Sequence, residues 1–271
     1  MTRTRNAGAI TFALVGFLVL VELVSGILQG FYVPLIPDIV KHLDIRDGDF
    51  NWFEASQLLL SAIIVPIFAK LGDMFGHKKI LLITTALTAG ATWWLATTGD
   101  FWSFLVAWSL QAFYVVWLPL EVALIFDRGR KTGTAPSQTR RAAGFLVVAL
   151  EAGAIIGALG GARVLAATGG DIMLTLFVPA IAVTLVFFAI LFGVPESTPT
   201  GARKLDGIGF ALLTFGLLLI TAGLALLRVD ELDGVAVPIE TRLTLLAIAF
   251  VLGAAVLYVF ARWELKHPDP A

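Results

Sequence analysis

The chain has 271 residues, of which 58% are hydrophobic and only 14% are charged, and its mean hydropathy is +0.91. Soluble globular domains carry roughly a quarter charged residues, so this composition indicates an integral membrane protein. A net charge of −1 gives no basis for a nucleic-acid partner. The absence of cysteine excludes disulfides and thiolate metal sites.

Long apolar runs follow one another along the chain, each near the ~20 residues that cross a bilayer as a helix. The predicted spans are residues 10–33, 53–68, 80–97, 102–126, 142–165, 172–194, 208–227 and 243–261. The first run has no small-residue cleavage site at its end, which indicates a retained span rather than a signal peptide. The pattern predicts an all-α integral membrane protein.

The distribution of basic residues predicts how these spans are oriented. Fourteen of the 19 lysines and arginines fall on the side of the N-terminus, and the loops on the opposite side are acidic. By the positive-inside rule, both termini are expected to be cytoplasmic. Residues 195–206 contain proline and glycine and are typical of a linker. We therefore divide the chain into a six-span bundle, residues 1–195, and a linker with a two-span hairpin, residues 196–271.

A short charged turn, within residues 69–81, separates the second predicted span from the third. Gly72 and Gly76 permit the left-handed dihedrals and close backbone approach that such a turn can require. The segment resembles the signature loop of the major facilitator superfamily of transporters, with the pattern G-x-L-a-D-r-x-G-r-k-x-x-l. The residues on that pattern are Leu71, Asp73, Gly76 and Lys78, with Lys79 next in the chain. Ala69 and Met74 depart from the pattern, in place of a glycine and an arginine.

The resemblance extends through most of the chain. Residues 32–39 are similar to the proline-bearing end of the first span in drug:proton antiporters, and the two spans after the sixth resemble the fourteen-span branch. Residues 263–270 resemble the segment that introduces the ninth span there. The resemblance implies the N-terminal half of such a transporter: a six-helix bundle of two three-helix repeats, plus two additional transmembrane helices.

The candidate proton-carrying glutamates within predicted spans are Glu22 in the first, Glu121 in the fourth and Glu151 in the fifth. An ionisable group near the middle of a membrane helix costs at least ~2.5–3.5 kcal/mol, so each requires an explanation. Burial disfavours the charged form of a carboxyl group, which suits a group that carries a proton. We predict that these three couple transport to protons, with Glu22 and Glu151 facing one cavity. The alternative for each is a protonated side chain hydrogen-bonded to a neighbouring helix.

The fourth predicted span contains amide and aromatic side chains. Residues 106–113 align with the family pattern R-x-x-Q-G: Gln111 matches, whereas Trp108 and Ala112 replace the arginine and the glycine. The resemblance associates that arginine with proton coupling, so its replacement argues against ordinary antiport. The candidate cavity residues of the first and fourth spans are Gln29, Tyr32, Gln111, Tyr114 and Trp117. The alternative for the aromatic residues is an ordinary packing or lipid-facing surface.

Three glycines of the fifth span, Gly153, Gly157 and Gly161, recur at every fourth residue and therefore line one face of a helix. Small residues on one face let a second helix approach closely, and such packing drives helix association in lipid. We predict that this face packs against another span.

The inner end of the fourth span carries Asp127 and Arg128. The resemblance implies that Asp127 pairs with the basic end of the signature loop, at Lys78. Simple positive-inside anchoring is the alternative for the basic residues.

The sequence contains no phosphate-binding glycine loop, HExxH motif or nucleophile–base set, so we expect no enzyme, cofactor or metal site. The leading hypothesis is a half-sized major facilitator-type transporter of a bacterial inner membrane. It would export or translocate an amphipathic or apolar solute, coupled to protons, as a homodimer or with a complementary half. The competing hypothesis is a non-transporting membrane subunit that uses the fold as a scaffold. The losses at Ala69, Met74, Trp108 and Ala112 favour the scaffold, whereas Asp73, Gly76, Lys78 and Glu22 oppose it.

Overall fold

The structure is a computed structural model that describes residues 12–197, 199, 206–227, 231–232 and 235–266. Its helices are α1 Phe12–Phe31, α2 Ile36–Leu43, α3 Phe50–Phe75, α4 His77–Thr97, α5 Phe101–Leu110, α6 Trp117–Thr132, α7 Pro136–Ala167, α8 Ile172–Gly193, α9 Gly207–Leu226 and α10 Ile239–Glu264. Three 3-10 segments lie between them, at Val33–Leu35, Asp47–Asp49 and Gln111–Val116. Two short strands, β1 Glu231–Leu232 and β2 Val235–Ala236, pair antiparallel between α9 and α10.

Eight helical segments of the described chain are long and apolar enough to cross a membrane. The predicted all-α membrane class is therefore confirmed. Two of these segments are composite. The first joins α1 and α2 through Val33–Leu35, and the fourth joins α5 and α6 through Gln111–Val116. Since Pro34 and Pro37 lack an amide hydrogen, an uninterrupted α-helix cannot run through them without losing backbone hydrogen bonds.

The bundle is built around the contact between α1 and α7, which rests on small residues. A Cβ atom on Gly153, Gly157 or Gly161 of α7 would overlap the backbone carbonyl oxygen of Leu23, Ile27 or Phe31 of α1, in that order. Two glycines of α1 lie in the same interface: Gly26 and Gly30 lie against the backbone of Leu150 and Ala154 of α7. The glycine face of α7 therefore packs on α1, at a distance that only residues without a side chain allow.

The remaining helices complete the first six spans and attach the last two. α4 packs against α8, and α3 packs against α5 and the Gln111–Val116 segment. α9 packs on α3, and α10 packs chiefly on α9. Trp263 of α10 donates its indole hydrogen to Asp206, the N-cap of α9, with 2.6 Å between Nε1 and Oδ2. The hairpin of α9 and α10 contacts the first six spans through α3. The division of the chain into a six-span bundle and a hairpin stays a prediction.

Candidate functional site

A cavity of about 300 Å³ opens among α1, α3, α5 and the Gln111–Val116 segment. Its lining residues are Leu28, Gln29, Tyr32, Glu54, Gln57, Leu58, Trp108, Gln111 and Tyr114. Ligand pockets in proteins typically occupy about 300–1,000 Å³ and combine apolar walls with a few polar groups. This cavity has that composition, with three amide side chains, one carboxyl group and three aromatic rings.

Gln111 is the centre of a buried hydrogen-bond network at this cavity. Its Nε2 donates to Tyr32 Oη at 2.8 Å and to Thr92 Oγ1 of α4 at 3.2 Å. Both amide hydrogens of Gln111 are thereby used, and the network joins the first, third and fourth spans. Since a buried amide without partners would be costly, this network fixes the cavity wall in one arrangement.

Trp108 occupies the position at which the family pattern has an arginine, and it is packed among other rings. Its ring centroid lies 4.9 Å from that of Tyr32, 5.3 Å from that of Phe50 and 5.8 Å from that of Phe104. Its backbone oxygen accepts a hydrogen bond from Gln57 Nε2 at 3.3 Å. The substitution therefore replaces a charged group with part of an aromatic cluster, and no basic residue is among those that line the cavity.

Trp117, a predicted cavity residue, is fully buried and is not among the lining residues. Its ring centroid lies 6.4 Å from that of Tyr114, which does line the cavity. Four of the five predicted cavity residues, Gln29, Tyr32, Gln111 and Tyr114, therefore share one cavity, and Trp117 packs in the core behind it.

Glu22 of α1 and Glu121 of α6 are buried inside the bundle, both with no exposed surface. None of their four carboxyl oxygens has a hydrogen-bond partner among the described residues. The two groups lie close enough for Glu22 to act electrostatically on Glu121. Two ionised carboxylates buried here would lose their hydration and repel each other, so the charged form of this pair is strongly unfavourable.

The predicted association of Glu22 with Glu151 is wrong. Glu151 is exposed on α7, on the side of the helix away from the glycines that contact α1. Residues 151 and 153 differ by about 200° in direction, because each step along an α-helix turns the chain by about 100°. Glu121 is the carboxyl group near Glu22, since α6 also contacts α1.

The signature turn, residues 72–78, joins α3 to α4 through Gly76, whose φ is +100°. Here the left-handed region and the space both require glycine, because a Cβ would lie 2.8 Å from the backbone oxygen of Ser197. Asp73 is exposed, and its Oδ1 lies 3.2 Å from Nε2 of the buried His77. Lys79 is exposed.

The clasp segment, residues 195–197, follows α8 and covers this turn. The backbone nitrogen of Lys78 donates to Ser197 Oγ at 3.0 Å, and Lys78 Nζ lies 3.3 Å from Glu196 Oε1. Arg128, which is buried at the end of α6, donates from Nη2 to the backbone oxygens of Pro195 and Glu196 at 2.9 and 3.1 Å. Lys78 and Arg128 thus bind the clasp segment, where the chain leaves the sixth span.

The predicted pair of Asp127 with Lys78 is also wrong. Asp127 Oδ2 lies 2.6 Å from Nζ of Lys131, one turn further along α6. Lys78 instead reaches Glu196 of the clasp segment. The reason is proximity: an acid and a base four residues apart on a helix already face each other, so Asp127 is satisfied within its own helix.

Sequence reasoning missed Glu54 and Gln57, which line the cavity from α3. They lie three residues apart near the start of a span, and that spacing would have placed them on one helix face. It also missed the clasp segment. The hydrogen bond from Lys78 to Ser197 joins residues 119 positions apart in the sequence, and a single sequence offers no signal for it.

The structure thus defines a polytopic helical membrane protein with an internal cavity of mixed polar and aromatic lining and two carboxyl groups buried in its bundle. The family model of the Major Facilitator Superfamily matches residues 18–264. The chain belongs to this superfamily. No curated protein matches the sequence.

Solved transporter structures share the fold. The human organic anion transporter MFSD10 (TETRAN) superposes with a TM-score of 0.64 at 15% identity, over 86% of this chain and 58% of the transporter. PepTSo, a transporter of the POT family, gives a TM-score of 0.60 at 15% identity, over 94% of this chain and 55% of PepTSo. The chain therefore spans a little over half the length of these transporters.

Proposed function

We propose that the protein is a half-sized transporter that moves an amphipathic or apolar solute across the membrane, as a dimer or with a complementary half. The observation that carries this proposal is the cavity at Gln29, Tyr32, Gln111 and Tyr114, whose lining is neither wholly apolar nor filled by side chains. Rings supply apolar contact area, and amides supply a few directional hydrogen bonds, which is the composition of a small-molecule site.

Proton coupling is assigned to Glu22 together with Glu121. Their burial and their lack of hydrogen-bond partners among the described residues leave a proton as the simplest means of neutralising each carboxyl group. A group that releases its proton when the bundle opens and recovers it when the bundle closes would link proton movement to solute movement. Glu151 lies on an exposed face of α7, away from Glu22 and Glu121, so it is a separate candidate for proton coupling.

The location assigned is a bacterial inner membrane with both termini in the cytoplasm. The positive-inside distribution of lysine and arginine supports this orientation. The likeness of residues 32–39 to drug:proton antiporters supports efflux as the direction of transport. The signature turn and the clasp segment would then lie at the cytoplasmic face.

The test is proton flux in liposomes that contain the purified protein, with an internal pH-sensitive dye and ethidium as the fluorescent amphipathic solute. An imposed pH gradient should drive ethidium movement in wild type. Glu22→Gln and Glu121→Gln should abolish it, because an amide keeps the shape and hydrogen-bonding capacity of the group but cannot release a proton. Glu240→Gln, at an exposed position in the first turn of α10, is the matched control.

A non-transporting scaffold is the second candidate, and the packing of Trp108 favours it. This side chain fills the position of the family arginine with an aromatic cluster, so the cation that the family associates with proton coupling is replaced. For a scaffold, wild type should show no proton or ethidium flux, and Glu22→Gln should be neutral or slightly stabilising. That combination would exclude the transport proposal.

A further inference from the structure

A buried indole nitrogen on α6 has no hydrogen-bond partner among the described residues. It belongs to Trp117, the first residue of α6, whose side chain is fully buried. The Trp117 ring contacts that of Tyr114, with the centroids 6.4 Å apart and the ring planes at 75°. Burial removes the hydration of an N–H group, so a buried donor without an acceptor is costly and requires an explanation.

Glu121 lies four residues after Trp117 on the same helix and is also fully buried. Side chains at positions i and i+4 share one face of an α-helix, and the side chain at i+4 leans toward the N-terminus, over the residue at i. The carboxyl group of Glu121 is therefore directed toward Trp117. Both of its oxygens lack a hydrogen-bond partner in the described chain. One helical face thus places a donor without an acceptor beside acceptors without a donor.

The charges around Glu121 do not supply a cation for it. Glu22 of α1 is the group that acts electrostatically on Glu121. The acids and bases of α3, α4 and α7, which also pack against α6, lie near the ends of those helices, except for Glu151 on the outer face of α7. Arg128, two turns along α6, is bound to the clasp segment. Among the described residues, the Trp117 N–H group is therefore the donor placed to stabilise a carboxylate at Glu121.

We propose that Trp117 is a positioning residue for the proton of Glu121, and that its indole N–H group donates to the carboxylate that remains when this proton leaves. The inference rests on the proposed proton coupling and assigns the group that stabilises the charge. In the release step, the O–H bond of the Glu121 carboxyl group breaks, and the proton passes to water that enters the open bundle. The electron pair stays on the carboxylate, which then accepts a hydrogen bond from Trp117 Nε1.

The two protonation states of Glu121 use this donor differently. A hydrogen bond from a neutral donor to a carboxylate is about twice as strong as one to a neutral acceptor. The contact therefore favours the ionised state over the protonated state, although both side chains stay in the same place. This difference makes a buried carboxyl group able to release its proton without a basic partner.

Fluorine NMR of protein labelled with 5-fluorotryptophan tests the contact from the side of the indole. Trp117→Phe assigns the Trp117 resonance. Trp108 is the matched control, because its Nε1 is also buried without a partner in the described chain and Ala112 stands four residues after it.

In nanodiscs, raising the pH should shift the Trp117 resonance in wild type and leave it in place in Glu121→Gln. The Trp108 resonance should be the same in both proteins. A Trp117 resonance that does not respond to pH, or that responds equally in Glu121→Gln, would overturn the proposal.

Infrared spectroscopy tests the contact from the side of the carboxyl group. Glu121→Gln assigns the carbonyl band of protonated Glu121. Trp117 is then replaced by benzothienylalanine, which keeps the shape of the bicyclic ring and lacks the N–H group. At a fixed pH, the ratio of ionised to protonated Glu121 should fall by roughly 10-fold, because a hydrogen bond to a charged group is lost. The same replacement at Trp108 should leave the ratio unchanged. An unchanged ratio after replacement of Trp117, or equal changes at both positions, would contradict the proposed role.

Ethidium movement in liposomes made from the same preparations separates this inference from the proposed function. If the Trp117 resonance depends on Glu121 but wild type shows no pH-driven ethidium movement, the role of Trp117 is retained and proton-coupled transport is rejected. If ethidium movement depends on Glu121 but benzothienylalanine at Trp117 leaves its rate and pH profile unchanged, transport is retained and the role of Trp117 is rejected.

Discussion

Lys78 Nζ lies 3.3 Å from Glu196 Oε1 and donates a hydrogen bond to the backbone oxygen of Leu191 at 3.0 Å. The signature turn is thereby tied to the end of the sixth span and to the clasp segment. The two partners differ in environment, because Lys78 is buried and the Glu196 side chain is 72% exposed. Most of the free energy of this contact should therefore depend on Lys78 and its bond to Leu191.

Lys78→Met and Glu196→Gln should separate these contributions. Lys78→Met removes a buried charged donor and its hydrogen bond to the Leu191 oxygen, so we expect a loss of about 1.5–3 kcal/mol in stability. Glu196→Gln removes only an exposed ion pair, which should cost less than about 1 kcal/mol. Thermal unfolding in detergent, followed by tryptophan fluorescence, measures both. Equal losses in the two variants would show that the ion pair, rather than the bond to Leu191, holds the turn.

The glycine contact between α1 and α7 predicts opposite results for two adjacent glycines. A Cβ on Gly161 would overlap the backbone oxygen of Phe31 and would lie 2.9 Å from Pro34 Cγ, whereas nothing lies within 4 Å of a Cβ on Gly160. Gly161→Ala should therefore destabilise the protein by roughly 1–3 kcal/mol, as overpacking does. Gly160→Ala should be neutral or stabilising by up to ~1 kcal/mol through helix propensity.

The same unfolding measurement serves both glycine variants, with expression level as a second readout. If Gly161→Ala were as stable as Gly160→Ala, then α1 and α7 would lie further apart than the structure has them.

The sequence alone predicted the eight spans well, because each span is a local property of about 20 consecutive residues. It placed the signature turn correctly for the same reason, since Gly76 has the positive φ that a tight turn between two helices requires. The composite first and fourth spans were seen as single runs, because hydropathy does not distinguish an α-helix from a 3-10 segment.

The arrangement of the site depended on packing that a single sequence does not reveal. The sequence predicted that the glycines of α7 pack on another span, without identifying that span, and that Glu151 faces a cavity with Glu22. The two expectations exclude each other once the span is α1, because residues 151 and 153 point about 200° apart on a helix. Once Gly153 packs on α1, Glu151 must face away from α1, and Glu121 of α6 becomes the carboxyl group near Glu22.

Asp206 links the last two spans through its side chain. Its Oδ1 accepts from the backbone nitrogen of Ile208 at 3.1 Å, which caps α9, and its Oδ2 accepts from Trp263 Nε1 at 2.6 Å. Asp171 also caps a helix, accepting from the backbone nitrogen of Leu174 at 3.0 Å, and its carboxyl group shows no comparable bond to a distant side chain in the described chain.

Asp171→Ala should therefore cost only a helix cap, about 0.5–2 kcal/mol. Asp206→Ala should cost more, because a charge-assisted bond to Trp263 is lost as well. Asp206→Asn keeps one acceptor oxygen for the two donors, and its amide nitrogen can only donate, so its stability should lie between those of wild type and Asp206→Ala. Thermal unfolding measures the order of the three variants, and a smaller loss in Asp206→Ala than in Asp171→Ala would contradict it.

Tyr32 and Tyr114 line the same cavity but differ in their hydrogen bonding. Tyr32 Oη accepts from Gln111 Nε2 at 2.8 Å, while the Tyr114 hydroxyl has no hydrogen bond to another described residue. Tyr32→Phe leaves Gln111 with one buried hydrogen unpaired, which should reduce stability by about 1–3 kcal/mol. Tyr114→Phe should change stability by less than ~0.5 kcal/mol, as surface and unbonded positions do.

Ethidium movement in liposomes should follow the same order. Tyr32→Phe should lower it more than Tyr114→Phe, because Gln111 loses the acceptor that orients its amide toward the cavity wall. Gln111→Leu is the reference for complete loss of the network, including the bond to Thr92. If Tyr114→Phe lowered ethidium movement while Tyr32→Phe and Gln111→Leu left it unchanged, the network would be a structural support and the solute would contact the other wall of the cavity.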